Sequence, residues 1–340
     1  MIDAWFGRNT HSWREWDLPA LLALKRGTSV SLVVPARNEA ATVGAVVGRL
    51  REALVDTVEL LDEIVVIDSD STDDTAAVAR DAGAVVHRAA DIRPDLGARP
   101  GKGEAMWKSL FVTSGELLVF MDADLLDWDT HFVPGLLGPL LTRPEVALVK
   151  GFYHRPFTGA DAGRPGATGT EGDDTAAFEG GRVTELVARP LVATLFPELA
   201  GLVQPLAGEW AIRRELFADL SVPTGYAVEL AALVDTCARH GIEAIAQVDL
   251  GRRAHRHQAL RDLGGMATQI LAASLARAAR DRVPAPDPAD TSVLLRQYHP
   301  AGHVPTGSVE PVDRLVPTGE RPPARSVADA VVGIGAEARR

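Results

Sequence analysis

Between residues 30 and 150, short apolar runs alternate with segments of helical periodicity, and this alternation limits the chain to a small set of folds. The apolar runs are 30–34, 63–67, 84–87, 116–121 and 146–150. Runs that are short and apolar on both faces are typical of buried parallel strands, and the stretches between them are long enough for covering helices. The sequence therefore predicts an α/β fold with a mostly parallel, Rossmann-like sheet flanked by helices.

Composition divides the chain further. We expect an N-terminal helical lead-in, the alternating elements, a Gly-rich flexible loop, a mostly helical second half with a strand at 244–250, and a Pro-rich tail. In order, the five segments are 1–29, 30–155, 156–180, 181–282 and 283–340. The tail's composition indicates an extended or partly disordered segment, with one short helix over 326–336.

Charge and cysteine content exclude several classes of protein. The 340 residues include 46 acidic and 35 basic side chains, a formal net charge of −11, which disfavours general binding to nucleic acid. The single cysteine, Cys237, excludes an intramolecular disulfide and a Cys/Cys zinc motif. No apolar run approaches the ~20 residues of a membrane span, and the first residues lack a signal peptide. We expect a cytoplasmic protein without stable membrane insertion.

Polar side chains follow three of the predicted strands. The clusters are Pro35–Glu39, Asp68–Asp70 and Asp122–Asp124. In parallel sheets, ligands bind beyond the carboxyl ends of the strands. Asp122 and Asp124 offer hard oxygen ligands that suit Mg²⁺ or Mn²⁺ beside a diphosphate. The tripeptide alone is equally compatible with two solvated acids at a strand end.

Glycines beside cationic residues mark two further helix starts. Lys102 lies between Gly101 and Gly103, where backbone amides and a point charge would attract a phosphate or a sugar hydroxyl. Gly181 and Arg182 repeat this arrangement, with Thr184 as an added hydroxyl donor. For both segments a turn at a helix start without a ligand remains the alternative, and the segment around Lys102 does not match a P-loop.

A basic run and a single acid complete the candidate residues. Residues 251–257 are strongly cationic, so His255 is a candidate metal ligand and Arg253, Arg256 and His257 would neutralise a diphosphate or an acidic acceptor. A solvated basic turn is the alternative. Glu229 either stabilises the dipole of a helix start or contacts a sugar.

Two enzyme classes lose support at this point. The chain has no G-x-S-x-G elbow, and Cys237 lies in the middle of a predicted helix in apolar surroundings, so a nucleophilic triad is not indicated. The first strand is not followed by G-x-G-x-x-G, which removes most of the support for a dehydrogenase.

Several longer motifs resemble a known family. Residues 33–39, 67–74 and 122–124 resemble the nucleotide-sugar half of GT-A glycosyltransferases. Residues 99–107, 181–190, 204–209 and 246–256 are similar to motifs of the glucosyl-3-phosphoglycerate synthases, retaining GT-A enzymes grouped with the mannosyl-3-phosphoglycerate synthases. The resemblance covers about 15–280, and it implies a GT-A fold with a helical acceptor-binding half.

The resemblance also implies a reaction. Glucose would pass from UDP-glucose to the 2-hydroxyl of 3-phosphoglycerate, with retention, in a step that needs Mg²⁺ or Mn²⁺, and the enzyme would be a homodimer. The implied donor contacts are Pro35, Ala36, Asn38, Glu39, Ser69, Lys102, Asp122, Ala123 and Arg253. Asp124 and His255 would bind the metal, and Glu229, Asp122 and the carbonyl of Leu206 would lie beside the transferred sugar. The implied acceptor contacts are Gly181, Arg182, Val183, Thr184, Tyr226 and His257, where His257 departs from the Asn frequent in the family.

Other functions stay open from the sequence. A GDP-mannose donor would make the enzyme a mannosyl-3-phosphoglycerate synthase. A non-catalytic nucleotide-sugar sensor would share the fold, but the presence of both Asp122 and Asp124 disfavours it. The missing Q-x-x-R-W motif disfavours an inverting polysaccharide or polyprenyl-phosphate transferase. The ending of the first strand in Pro-Ala-Arg-Asn-Glu disfavours a nucleotidyltransferase.

Overall fold

Eight strands form one sheet in the computed structural model, which describes residues 2–154, 181–252, 260–281, 292–300 and 309–317. The strands are β1 (Thr10–Ser12), β2 (Val30–Ala36), β3 (Glu63–Asp68), β4 (Val85–Arg88), β5 (Leu117–Phe120), β6 (Leu148–His154), β7 (Trp210–Arg213) and β8 (Ile245–Arg252). Their order across the sheet is β1-β8-β6-β7-β5-β2-β3-β4. Only β7 runs antiparallel to its neighbours, β5 and β6, so the predicted mostly parallel α/β sheet is confirmed.

Helices cover both faces of the sheet. They are α1 (Ile2–Asn9), α2 (Leu18–Lys25), α3 (Val43–Arg51), α4 (Thr75–Asp81), α5 (Lys102–Ser109), α6 (Phe132–Thr142), α7 (Arg189–Leu195), α8 (Arg214–Asp219), α9 (Val228–His240) and α10 (Leu260–Arg280). A π-helical turn, Glu52–Asp56, extends α3, and a second one, Thr184–Ala188, leads into α7.

The central strand β2 is buried on both faces, which explains why its sequence is apolar throughout. Leu32 and Val34 pack into the core that includes residues of α3 and α6, whereas Val33 packs into the core that includes residues of α5 and α9. Successive side chains of a strand point to opposite faces, so a strand buried on both faces needs apolar residues at every position. Each fully buried aliphatic side chain contributes roughly 1.5–3 kcal/mol.

The N-terminal lead-in differs from the expected helical segment, because β1 lies between its helices. Thr10 is aligned with Gln247 of β8 in a parallel pair at the edge of the sheet. Trp5 of α1 is buried, and its indole nitrogen donates to the carbonyls of Ile242 and Ile245. Three polar residues are too few to produce a strand periodicity, which is why the sequence shows only the helices.

Part of the expected tail is an ordered hairpin. Strands β9 (Ser292–Pro300) and β10 (Val309–Pro317) pair antiparallel, and β9 packs against α7. The Tyr298 hydroxyl donates to the carbonyl of Ala200, and Arg296 forms ion pairs with Asp3 and Asp313. The local composition of this segment does not predict the hairpin, because the pairing depends on contacts between the two strands. The expected loop 156–180 and the helix over 326–336 lie outside the described residues.

No helix within the described ranges combines the length and the apolarity needed to cross a bilayer.

Candidate active site

The three polar strand ends lie side by side at one edge of the sheet. Strand β2 pairs with β3 on one side and β5 on the other, with Ala36 aligned with Asp68 and Val33 aligned with Phe120. Because all three strands are parallel, the residues that follow them emerge at the same edge. The register agrees with the expectation from the sequence that the polar residues after these three strands form one cluster.

The loops after β2 and β3 are tied to each other. Asn38 adopts φ +57°, a left-handed conformation that Asn tolerates, and its backbone N–H donates to the Ser71 hydroxyl at 2.9 Å. The Glu39 N–H donates to the Thr75 hydroxyl at 2.8 Å, and the Ser69 N–H donates to the carbonyl of Ala36 at 2.9 Å. The residues that the resemblance implies for the uridine pocket therefore lie on two loops that are joined by hydrogen bonds. Pro35 lies near the end of β2, directly before these loops.

Lys102 joins the two acids nearest the expected reaction centre. Its Nζ lies 2.6 Å from Asp122 Oδ1 and 2.8 Å from Glu229 Oε1. Lys102 is the first residue of α5, Asp122 follows β5, and Glu229 lies in the first turn of α9. Burial alone would lower the pKa of Lys102, but the charges of Asp122 and Glu229 outweigh it and hold that pKa above its ordinary value. The lysine is therefore a fixed cation between two carboxylates.

Two glycines let the start of α5 approach the loop before α9. A Cβ at Gly103 would lie 1.8 Å from the carbonyl oxygen of Pro223, and Gly101 adopts φ +129°. The Glu104 N–H donates to the carbonyl of Thr224 at 2.9 Å. These glycines are thus required by the contact between two protein segments, which places Lys102 against the first turn of α9.

Helix α10 contacts Tyr226, which lies in the same loop before α9. The Gln269 Oε1 atom accepts a hydrogen bond from the Tyr226 N–H at 2.8 Å, while the Tyr226 side chain is 41% exposed. Nothing in the local sequence pattern distinguishes Gln269, because its partner lies on a different element.

The turn that carries Leu206 lies against Asp122. The Ala207 N–H donates to the carbonyl of Gln204 at 3.1 Å, which closes the turn, and Leu206 is half-buried. A Cβ at Gly208 would lie only 2.1 Å from Asp122 Oδ2. Gly208 is therefore a site residue that sequence reasoning passed over, although it falls inside one of the motifs that carry the resemblance.

The predicted acceptor stretch begins the second half. Gly181 adopts φ +55° and its carbonyl accepts from the Glu185 N–H at 3.2 Å, Arg182 is exposed, and Val183 and Thr184 are buried. A π-helical turn at this point is a feature often found at functional sites.

Arg189 connects that stretch to the turn at Leu206. Its guanidinium donates to Glu185 and to the carbonyls of Leu202 and Val203. Those carbonyls immediately precede the turn. Arg189 therefore holds both the predicted acceptor stretch and the turn in place.

The side chains available for a divalent cation fit that use in part. Asp122 and Asp124 are both partly exposed at the end of β5, and carboxylate oxygens are the ligands that Mg²⁺ and Mn²⁺ prefer. Among the described residues, no group of three or more His, Cys, Asp and Glu side chains is arranged to hold a metal. The other predicted metal ligand, His255, lies outside the described residues, as do Arg253 and His257.

The expectation about Cys237 agrees with its surroundings. Burial raises the pKa of its thiol to about 11, so the thiolate that a nucleophile needs is disfavoured at neutral pH.

Comparison with known proteins agrees with this geometry. The model of glycosyl transferase family 2 matches residues 31–178. Glucosyl-3-phosphoglycerate synthase of Mycolicibacterium paratuberculosis is 43% identical over 328 residues, which is 96% of this chain and 92% of the relative.

Two solved structures of the Mycobacterium tuberculosis glucosyl-3-phosphoglycerate synthase are similar to this chain over most of its length. One is a complex with Mn²⁺, UDP-glucose and phosphoglyceric acid, with a TM-score of 0.69, 40% identity, and coverage of 94% of this chain and 99% of that one. The other is a complex with Mg²⁺ and UDP, with the same TM-score, identity and coverage.

The sheet, its polar edge and the acids that follow β5 define a GT-A glycosyltransferase. The sequence identity to the relatives and the share of the chain that they cover assign the chain to one family within this class. It belongs to the glucosyl-3-phosphoglycerate synthase family.

Proposed function

We propose that the protein transfers glucose from UDP-glucose to the 2-hydroxyl of 3-phosphoglycerate, with retention of configuration. The observation that carries the proposal is the ion-paired cluster of Lys102, Asp122 and Glu229 at the edge of the sheet where ligands of this fold bind. A related enzyme of 40% identity holds Mn²⁺, UDP-glucose and phosphoglyceric acid together, which supports the assignment of both substrates.

The donor lies, in this proposal, across the ends of β2, β3 and β5. Pro35, Ala36, Asn38, Glu39 and Ser69 line the uridine pocket, and Ala123 contacts the donor between the two acids. The hydrogen bonds that join the loops after β2 and β3 support this role, because they hold the pocket in place before the donor arrives.

The reacting end of the donor meets the charged cluster. A divalent cation held by Asp124 and His255 would neutralise the diphosphate that leaves with uridine. Arg253 adds positive charge at the diphosphate, and Lys102 adds it close to the donor. Asp122 orients the sugar or the ribose. Positive charge fixed in advance stabilises the leaving group without reorganisation, and we assign most of the rate enhancement to it.

Retention follows from attack on the same face as the departing group. The acceptor hydroxyl approaches from the leaving-group side, and its proton passes to the β-phosphate. Glu229 and the carbonyl of Leu206 lie beside the sugar and orient it. Lys102 holds the Glu229 carboxylate at 2.8 Å, which suits an orienting group better than a nucleophile that must form a covalent bond.

The acceptor occupies the second half of the protein. Gly181, Arg182, Val183 and Thr184 receive phosphoglycerate, with Tyr226 and His257 completing the contacts. An exposed arginine at the start of a helical segment suits an anion that carries both a carboxylate and a phosphate. We accordingly assign the donor to 30–155 and the acceptor to 181–282.

A donor panel tests the proposal. Incubation with 3-phosphoglycerate, Mg²⁺ and either UDP-glucose, GDP-glucose or GDP-mannose, followed by mass spectrometry, should give a hexosyl phosphoglycerate with UDP-glucose. A product with GDP-mannose alone would make the protein a mannosyl-3-phosphoglycerate synthase. No product with any donor would favour a nucleotide-sugar sensor.

We also propose that the protein acts as a cytoplasmic homodimer. The β9–β10 hairpin supports the dimer, because β10 is exposed along most of its length and carries Leu315, which is 66% exposed, and Val312. Exposed apolar side chains on a two-stranded hairpin favour burial against a second copy. Light scattering during gel filtration should show a dimer, and Leu315→Glu should shift it toward monomer.

A further inference from the structure

One lysine is buried beside the active site without a role in the proposed reaction. Lys150 lies on β6, is 1% exposed, and has its Nζ 5.6 Å from the centre of the Trp210 ring. The same Nζ donates to the carbonyl of Ala207 at 2.5 Å. Lysine is rarely buried so completely unless it is paired, because desolvating its charge is costly.

Three contacts attach the 204–209 segment to β6. The Gln204 side chain exchanges hydrogen bonds with the backbone N–H and carbonyl of Tyr153. The Gly151 N–H donates to the carbonyl of Glu209 at 2.9 Å. Between these two attachments, the hydrogen bond from Lys150 to Ala207 pulls the middle of the segment onto the strand.

That middle part is next to the proposed reaction centre. Leu206 directly precedes Ala207, and Gly208 directly follows it, with no room for a Cβ beside the Asp122 carboxylate. A shift of the Ala207 carbonyl would therefore move the Leu206 carbonyl on one side and release the packing against Asp122 on the other.

Charge links Lys150 to the same centre. Burial lowers the pKa of Lys150 to about 7, while attraction by Glu229 opposes this change and repulsion by Lys102 adds to it. The electrostatic influence of Glu229 and Lys102 agrees with a position close to the cluster.

We propose that Lys150 is a positioning residue for glucosyl transfer, which holds the Ala207 carbonyl so that Leu206 and Asp122 are placed for the donor sugar. The proposal rests on the proposed function. It assigns Lys150 no contact with either substrate, and its effect passes through the 204–208 turn.

Lys150→Met tests the proposal, because methionine fills a similar volume without the ammonium group. We expect kcat for transfer to fall about 100-fold, as for a small misplacement of reacting groups, with the KM values of both substrates and the affinity for UDP unchanged within about twofold. The share of UDP-glucose hydrolysed rather than transferred should rise. Faster hydrogen exchange at residues 205–209 would report the loosened turn.

Lys25→Met is the matched control. Lys25 is also buried and donates to a backbone carbonyl, that of Glu59, and these two residues precede strands β2 and β3. Lys25→Met should lower the melting temperature and leave kcat and the hydrolysed share unchanged. Lys150→Gln keeps an N–H donor, should retain more transfer than the methionine variant, and serves if that variant does not fold.

The outcomes separate the two proposals. An unchanged kcat and hydrolysed share in a folded Lys150 variant would overturn the positioning role, even if its melting temperature falls. If the unaltered protein transfers no glucose, the proposed function itself fails, whatever the variants do.

Discussion

Arg277 on α10 donates hydrogen bonds of 3.0 and 2.8 Å to the two carboxylate oxygens of Asp235 on α9, and both side chains are buried. This pair joins the helix that begins near Glu229 to the helix whose Gln269 holds Tyr226. A second arginine, Arg280, reaches the same carboxylate from a more exposed position.

Asp235→Ala should lower the free energy of unfolding by about 3–5 kcal/mol, because it leaves the Arg277 guanidinium buried without its carboxylate. Urea denaturation followed by circular dichroism measures the change. Arg280→Ala is the comparison: its side chain is 47% exposed, so the loss should stay below about 1 kcal/mol. Equal losses in the two variants would contradict the importance of the buried pair.

Gly208→Ala should reduce kcat about 100-fold, since the added methyl group would displace the Asp122 carboxylate by an ångström or more. Steady-state kinetics with saturating UDP-glucose and 3-phosphoglycerate give the value. Gly48→Ala, on α3 with open space around the glycine, is the control and should keep full activity. Full activity of Gly208→Ala would show that the position of Asp122 does not matter.

Asp124→Ala and Glu229→Gln should separate the metal-binding role from the orienting role. The first removes a proposed metal ligand, so we expect nearly all transfer to be lost at every metal concentration. The second keeps a polar group beside the sugar, so some activity should remain, because no covalent intermediate is required. Titration of Mn²⁺ during the assay measures both, and full activity of Asp124→Ala at saturating metal would refute the metal assignment.

Asp249→Asn should stabilise the protein at pH 7. Burial raises the pKa of Asp249 to about 6, and the Gly251 N–H hydrogen bond only partly opposes this. Between about pH 4 and 6 the folded state therefore holds a proton that the unfolded state has lost, and stability declines as pH rises through that window. Asparagine mimics the protonated acid and still accepts from Gly251, so we expect a gain of about 2 kcal/mol at pH 7 that disappears near pH 4.

Urea denaturation at pH 4, 5, 6 and 7 measures this prediction. Asp127→Asn, at an exposed position, should change the free energy of unfolding by less than about 0.5 kcal/mol. A gain for Asp249→Asn that stays constant with pH would mean that the carboxyl group of Asp249 does not titrate in this range.

The strands were predictable where burial on both faces makes a run apolar, as in β2 and β3. Strand β7 was missed, because Trp210–Arg213 is four residues long and lies in a stretch where helices were expected. Its antiparallel pairing with β5 and β6 depends on contacts distant in sequence, which no local period reveals.

The candidate site was predictable at the level of residue types. Motif resemblance singled out Lys102, Asp122 and Glu229, and the structure brings these three together. Gly208 and Lys150 were not predicted as site residues, because their importance comes from close approach between segments. A lysine that ends the apolar run 146–150 was the available signal for Lys150, since a residue in a buried strand loses contact with water.

The edge of the sheet formed by β1 and β8 has a consequence for folding on the ribosome. Thr10 and Gln247, which are hydrogen-bonded through their side chains, are 237 positions apart in sequence. At a synthesis rate of roughly 5–20 residues per second, the first strand waits on the order of ten seconds or more for its partner. Throughout that interval the indole of Trp5 lacks its two carbonyl acceptors on the later segment. Chaperone contact during translation should therefore concentrate on the first helix, and the pair of β1 with β8 can close only after β8 has been synthesised.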